Sequence, residues 1–422
     1  MSKQFTLRKS LIATVVSSAL GAALLPSSAL ASEADVLKKI EALQAEINAL
    51  KAQVQKVQQE AKAPAAPAAP VQQKEVDSWR KFFAAVPTGE APATSARTGI
   101  TVYGRLDLGY ESNDDGKVSR TVLNNYSSRI GFKGTRKLSD DLTGIMQIET
   151  GIAPDDSANS GALASRDSYA GLKSQSFGTI KAGRHDSPFK DLEGEGNPMW
   201  GNAMAMEVII HGKGTSRAAG ATWANLHSRY SNVLQYETPK WSNIEARLAY
   251  STDEVNGAPG TVRKPSMAGS VEWDNGRWNA GGAYQVTPNF NGQDQDMFGY
   301  KASGGVKMGD FTFGAMWSRL DNSVGKKTNN WLVAGTYKLG PTVLKANYGE
   351  SSETAGGAAD GLKMIGIALD YPFDKYTAIY GYYTKIMNDR NARGRFERGD
   401  NTFTPVAGDD PSIFAIGIRY NF

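Results

Sequence analysis

Residues 411–422 read PSIFAIGIRYNF. Counted in twos, Phe414, Ile416, Ile418, Tyr420 and Phe422 share one face, and Ala415, Gly417, Arg419 and Asn421 share the other. One face is wholly apolar and the other small or polar, with the period of a β-strand. A strand packed on a soluble core alternates in the same way. Two features separate the readings: this strand stops on an aromatic terminus, and it follows many segments like itself. An outward apolar band closed by aromatics is what a transmembrane β-barrel strand requires. Arginine on a lipid face costs about 2–4 kcal/mol at the midplane, so Arg419 is expected to face the lumen.

Upstream, from Thr98, short alternating runs rich in Gly, Tyr and Trp alternate with turn clusters. Candidate strands cover 100–112, 125–138, 141–152, 165–174, 177–184, 228–239, 241–251, 265–274, 277–287, 294–308, 311–320, 329–339, 342–351, 362–373, 375–388 and 412–422. That makes sixteen, an even number as a closed barrel needs. The expected fold is all-β, a 16-stranded antiparallel transmembrane β-barrel. Short connections such as Asn275-Gly276, Gly309-Asp310 and Gly340-Pro341 alternate with long ones such as 113–119, 252–264 and 389–410. Short turns at one end and long loops at the other fit periplasmic and extracellular faces. Tyr110, Tyr250, Trp273, Trp317, Tyr348, Tyr371 and Tyr420 lie near strand ends, where interface girdles belong.

The first 31 residues have the form of a secretory leader: Lys3, Arg8 and Lys9, an apolar run from Leu11 to Leu25, then Ala29-Leu30-Ala31. The mature chain is expected to begin at Ser32. Val36, Ile40, Leu43, Ile47, Leu50, Val54 and Val57 then form a heptad seam, so 32–62 is expected to be a periplasmic coiled-coil helix. Residues 63–97 open with a Pro/Ala spacer and read as a linker, and 98–422 as the barrel. The seam leaves the number of helices open.

The chain has no cysteine, which removes disulfides, thiolate metal sites and cysteine nucleophiles. Lys and Arg number 47 against 43 Asp and Glu, and three of the basic residues lie in the leader. The remainder is close to neutral, so no nucleic-acid partner is expected, nor any metal or cofactor. Selectivity must come from where charges sit.

Four blocks carry a resemblance: Val102-Tyr103-Gly104-Arg105-Leu106-Asp107; residues 127–134; residues 165–188 with Phe177-Gly178-Thr179 and Gly183-Arg184; and Arg229-Tyr230-Ser231-Asn232 running on to Tyr236 and Pro239. Together with terminal Phe422 they resemble the general, trimeric outer-membrane porins of β-proteobacteria over roughly 98–422. The resemblance implies export by the Sec pathway to the cell outer membrane, a homotrimer, contact with outer-membrane lipid and lipopolysaccharide, and a barrel-assembly machinery that reads Tyr420 and Phe422. It also implies that the longest gap, 185–227, folds into the barrel. That gap supports the idea independently, because Phe189, Trp200, Met204, Val208, Ile209 and Ile210 are too apolar for a solvated tip.

The acidic residues of that loop are Asp186, Asp191, Glu193, Glu195 and Glu207. Strand parity turns Tyr103, Arg105, Asp107, Arg129 and Lys133 inward. The resemblance assigns constriction arginines to Arg129, Arg166 and Arg229, with Arg184 nearby at a strand end. Guanidinium groups on a narrow lumen concentrate anions, while the same arginines could simply hold the loop down.

The expected function is a water-filled channel for passive diffusion of small hydrophilic solutes and ions, favouring anions. A substrate-selective porin is a variant of this reading. An envelope tether whose coiled coil contacts peptidoglycan is a second class. A barrel hydrolase is a third, but the only histidines are His185, His211 and His227, and no placed base or nucleophile is identifiable. No catalytic residue is therefore assigned.

Overall fold

The computed structural model describes residues 99–156, 162–198, 203–204, 207–212, 215–217, 226–227, 229–252, 265–288, 296–322, 325–396 and 405–422, with Ala45 and Asn48. Contacts divide the chain into units 1–93 and 94–422. In the first, Ala45 and Asn48 are helical. The expected leader, heptad seam and linker lie outside the described residues.

The second unit is a closed antiparallel barrel. Its strands are β1 (Gly99–Asp114), β2 (Ser119–Asn125), β3 (Arg129–Lys137), β4 (Leu142–Gly151), β5 (Ser168–Ser174), β6 (Gly178–Asp186), β7 (Thr215–Arg217), β8 (Arg229–Glu237), β9 (Ile244–Ser251), β10 (Ser266–Asp274), β11 (Trp278–Thr287), β12 (Met297–Met308), β13 (Phe311–Asp321), β14 (Lys327–Leu339), β15 (Thr342–Ser351), β16 (Leu362–Pro372), β17 (Thr377–Asn388), β18 (Ala392–Gly394) and β19 (Ser412–Asn421). Each wall strand pairs with its neighbours, and β1 closes on β19 from Arg105–Asn421 to Asp114–Ser412. Gly104 and Phe422 exchange backbone hydrogen bonds at 2.9 and 3.1 Å, so the last residue completes the ring.

β2 and β3 are two arms of one crossing, because both pair with β1. With them counted together, sixteen strands cross, as the sequence implies. The break falls at Tyr126-Ser127-Ser128, where Ser127 takes φ +64°. Ser128 Oγ accepts from the Asp107 amide at 2.9 Å, and Tyr126 swings into the lumen over Gly109. Sequence reasoning begins this crossing at 125 and reads 113–119 as a long loop. The structure corrects both: the loop is only 115–118, and the polar arm Ser119–Asn125 extends the strand upward. The β7–β18 ribbon, three residues on each side, was also not anticipated.

Alternation decides what faces lipid. Phe414, Ile416, Ile418, Tyr420 and Phe422 are all exposed on the outer face, while Ile413 and Ala415 are buried inside. Two aromatic girdles follow the register. Tyr284, Tyr300, Trp317, Trp331 and Tyr348 run across β11 to β15, with Tyr284–Tyr300 and Trp317–Trp331 directly paired. Phe311, Tyr337, Tyr371 and Phe373 lie beside the short turns. In those turns Gly276 and Gly309 take φ +87° and +60°, which a side chain would oppose.

Arg419 faces the lumen. Its Nε lies 2.7 Å from Asp107 Oδ2, its guanidinium stacks over Tyr380 at 5.1 Å, and the Tyr380 hydroxyl donates to Asp107 Oδ1 at 2.7 Å. Asp107 is fully buried at the seam. Arg419→Ala takes the nearest cation from a buried carboxylate and leaves it Arg105 at 4.0 Å and the Tyr380 hydroxyl; this costs at most about 3–5 kcal/mol and is expected to lower the urea midpoint of the barrel in lipid vesicles. An arginine on the lipid face would give the opposite sign, because its removal would stabilise the barrel.

Candidate pore constriction

The chain leaving β6 turns back into the barrel at Ser187. The hydroxyl of this fully buried residue caps a single helical turn, α1 (Pro188–Asp191), accepting from the Lys190 amide at 3.2 Å, and donates to Gln285 Oε1 of β11 at 2.7 Å. A 3-10 turn at Gly194–Gly196 and a second helical turn, α2 (Glu207–Ile210), continue across the inner faces of β11 to β16.

Short turns leave loop carbonyls without internal partners, and buried carbonyls must be paired. The wall supplies the donors. Lys301 Nζ reaches Lys190 O at 3.3 Å, Ser303 Oγ reaches Glu193 O at 2.8 Å, and Lys345 Nζ reaches Pro198 O at 3.3 Å. Asn347 Nδ2 reaches Met204 O at 2.9 Å, and Ser318 Oγ reaches Ile210 O at 2.6 Å. His211 sits between Lys301 Nζ, at 3.1 Å, and His227, whose Nδ1 is 2.8 Å from its own.

The wall is also carved to receive the loop. A Cβ on Gly281 would meet Leu192 at 2.5 Å, one on Gly305 would meet Glu195 Cβ at 2.5 Å, and one on Gly314 would overlap the Glu195 carbonyl more closely still. Phe189, Met204, Val208, Ile209 and Ile210 are thereby buried, which is where the apolar part of the loop goes.

The facing wall is polar. Glu149 of β4 is its hub: it pairs with Arg166 and with Arg129 at 3.6 Å, and accepts from the Tyr103 hydroxyl at 2.9 Å. Lys133 lies 4.5 Å over the Tyr103 ring. Arg229 bridges Asp167 at 2.5 Å and Asp186 at 3.0 Å, and Lys190 takes the other oxygen of Asp186 at 2.8 Å. Arg105 stands opposite Arg129 in the strand register and donates to Asn421 Oδ1 at 3.0 Å. Arg129, Arg166, Arg229, Lys133 and Lys190 thus stand with four acids, Glu149, Asp167, Asp186 and Asp191. The balance is positive.

Of the expected loop acids, Asp186 and Asp191 stand with this cluster. Asp191 is open to lumen water although the barrel surrounds it. That enclosure, then the neighbouring Asp186 and Asp167 carboxylates, push its acid up to about 7. Glu193 binds the wall through its carbonyl, Glu195 pairs with Lys307 at 2.7 Å, and Glu207 is buried in α2. Those three belong to the seating of the loop rather than to a row facing the arginines.

Arg184 is placed apart from the others. It pairs in register with Ser168, on the parity of exposed Ile180 and Leu172, and therefore lies on the outer face. Glu149, Asp167 and Lys190 were not foreseen. Glu149 was within reach, since Gln147 and Glu149 alternate with exposed Met146 and Ile148.

Comparison with known proteins completes the picture. The Gram-negative porin family matches residues 83–391. An outer membrane porin protein of Bordetella pertussis is 25% identical over 368 residues, covering 80% of this chain and 89% of that protein. The major outer membrane protein P.IB of Neisseria gonorrhoeae is 27% identical over 175 residues, 39% of this chain and 47% of that one. Among solved structures, an anion-selective porin from Comamonas acidovorans superposes with a TM-score of 0.69 at 20% identity, over 77% of this chain and 100% of that chain.

The seat of the loop can be tested directly. Gly314→Leu pushes Glu195 off the wall towards the pore axis and overpacks the site by about 1–3 kcal/mol. Single-channel conductance is expected to fall, while Gly335→Leu, away from the loop, leaves it unchanged.

Proposed function

The chain belongs to the Gram-negative porin family, a family of non-enzymatic channels of the outer membrane, and from that premise we propose that it is a passive diffusion channel for small hydrophilic solutes that favours anions. The observation that carries this reading is the excess of cations beside the inward-folded loop. Arg129, Arg166, Arg229, Lys133 and Lys190 outnumber Glu149, Asp167, Asp186 and Asp191 on a surface partly shielded from bulk water. A low-dielectric rim focuses such a field and raises the local anion concentration.

Pairing with carboxylates does two things at once. It fixes each guanidinium in place, and it holds the positive charge at a set position on the wall. Asp167 and Asp186 orient Arg229, as Glu149 orients Arg129 and Arg166. The neighbour from Comamonas acidovorans is described as anion-selective, which runs parallel to this reading. OmpT of Vibrio cholerae, at TM-score 0.55, is described in a trimer form, and a homotrimer is our reading here as well. We further assign the N-terminal segment to the periplasm and the recognition of Tyr420 and Phe422 to barrel assembly.

The test is the reversal potential of the purified protein in a planar bilayer under a KCl gradient. Chloride preference is expected, and the double variant Arg129→Gln, Arg166→Gln is expected to lose it. Cation preference in the unaltered protein would overturn the reading. A second expectation concerns pH. The Asp191 acid gains charge as pH rises through about 7, so one negative charge is added to the lumen. Chloride preference is expected to decline between about pH 6 and about pH 8, and Asp191→Asn is expected to abolish that slope.

A further inference from the structure

Three side chains meet where the inward loop comes back to the wall. His211 follows α2 on the outgoing limb, His227 lies on the returning limb just before β8, and Lys301 projects inward from β12. All three are buried. The Phe189 ring stands 5.6 Å from His211 and carries Lys301 on its face at 4.9 Å, and Leu226 packs into the same apolar cluster. With water excluded, each polar atom has to be served by its neighbours.

The contacts fix the protons. Lysine offers only donors, so Nε2 of His211, 3.1 Å from Lys301 Nζ, accepts, and the one proton of that ring sits on Nδ1. Nδ1 donates it to His227 Nδ1 at 2.8 Å, which leaves His227 protonated on Nε2. Lys301 also donates to Lys190 O at 3.3 Å, which ties the chain to α1. Two neutral rings and one ammonium thus form a row in which every donor faces an acceptor.

A further proton breaks this order wherever it lands. On His227 Nδ1 it sets N–H against N–H at 2.8 Å, and on His211 Nε2 it sets N–H against the ammonium at 3.1 Å. Either way a hydrogen bond becomes a contact between donors, and a second positive charge enters a buried space. Asp191 at the end of α1, Glu193 after it, Glu207 of α2 and Glu272 of β10 act on Lys301 from around the row. They offset part of the added charge but have no room between rings whose centroids are 4.7 Å apart. Asp191, with its acid pushed up to about 7, is itself neutralised as pH falls and withdraws its share.

Among the described residues, the stretch between the two histidines has another hold in the β7–β18 ribbon, whose backbone pairing does not titrate. Acid therefore acts on the returning limb, Leu226-His227. A limb that leaves the wall of a closed barrel enters the lumen.

We propose that the His211–His227 contact is an acid-sensitive clasp: neutral, it holds the returning limb of the loop on the wall, and a further proton releases that limb into the lumen and lowers the conductance.

The experiment records single channels of the full purified protein from about pH 7.5 to about pH 5, a range that spans the ordinary histidine value. Closed-state occupancy is expected to rise by up to roughly tenfold per pH unit below about pH 6.5, the limit for one proton. His211→Gln and His227→Gln keep a hydrogen-bonding side chain that does not titrate, and both are expected to lose this rise, whereas Asp191→Asn keeps it. Conductance equal to that of the unaltered protein at neutral pH would show that both glutamine variants are folded. Hydrogen exchange on the unaltered protein in detergent needs no variant. Corrected for the intrinsic effect of pH, protection of the Leu226 and His227 amides is expected to fall roughly tenfold between about pH 7 and about pH 5.5, while that of Ser303 and Met316 in the wall stays constant. Acid closures that persist in both glutamine variants would overturn the proposal, and so would protection that does not change with pH. The conductance arm rests on the channel reading and the exchange arm does not. Acid loss of protection in a protein that forms no channels would fail that reading and leave the clasp standing.

Discussion

A backbone in hydrocarbon has no water to bond, so every amide and carbonyl in the band must find a partner within the protein. For a sheet, that demand is met only by closure. Here it is met where β1 runs along β19 and Gly104 exchanges hydrogen bonds with Phe422. Much else descends from this seam. Asp107, Arg419, Tyr380, Glu111, Tyr126 and Tyr382 gather behind it as one buried polar group, with the Tyr126 and Tyr382 hydroxyls 2.5 Å apart. A charge is tolerable at such a place only when it is paired and its remaining lone pairs are occupied.

Closure creates a lumen, and the loop after β6 partly fills it. The wall from β11 to β16 offers amine, amide and hydroxyl donors for the loop carbonyls, and glycines where backbone and side chains must come close. Seating the loop on that side leaves the opposite wall in contact with water. On our proposal the arginines of β3 and β8, with Arg166 just before β5, line the open side, each held by a carboxylate. Position is set by packing on one side and by ion pairing on the other.

Much of this is legible in the sequence. Parity places Phe414, Ile416, Ile418, Tyr420 and Phe422 outward and Arg129, Asp107 and Arg419 inward, because lipid on one side and water on the other leave no freedom in a period of two. The apolar content of 185–227 announces an inward loop. What parity cannot reach is anything past an irregularity. The φ of Ser127 interrupts the second crossing, and the bulge between Gly183 and His185 brings Asp186 into the lumen cluster although its neighbour Arg184 keeps the outward parity of Ile180. Nor can composition show which loop acids bind the wall. Glu195 and Glu207 resemble Asp186 in sequence, and only the seat of the loop separates them.

The central claim is that the arginine wall borders the conducting path while the loop lies against the other side. The chain has no cysteine, so a single introduced thiol is unambiguous. The most direct measurement is a single-channel recording of Arg166→Cys while an anionic methanethiosulfonate reagent is added. Stepwise, irreversible loss of current, with chloride preference falling at each step, is the predicted result. Covalent labelling that leaves current and selectivity unaltered would contradict the account.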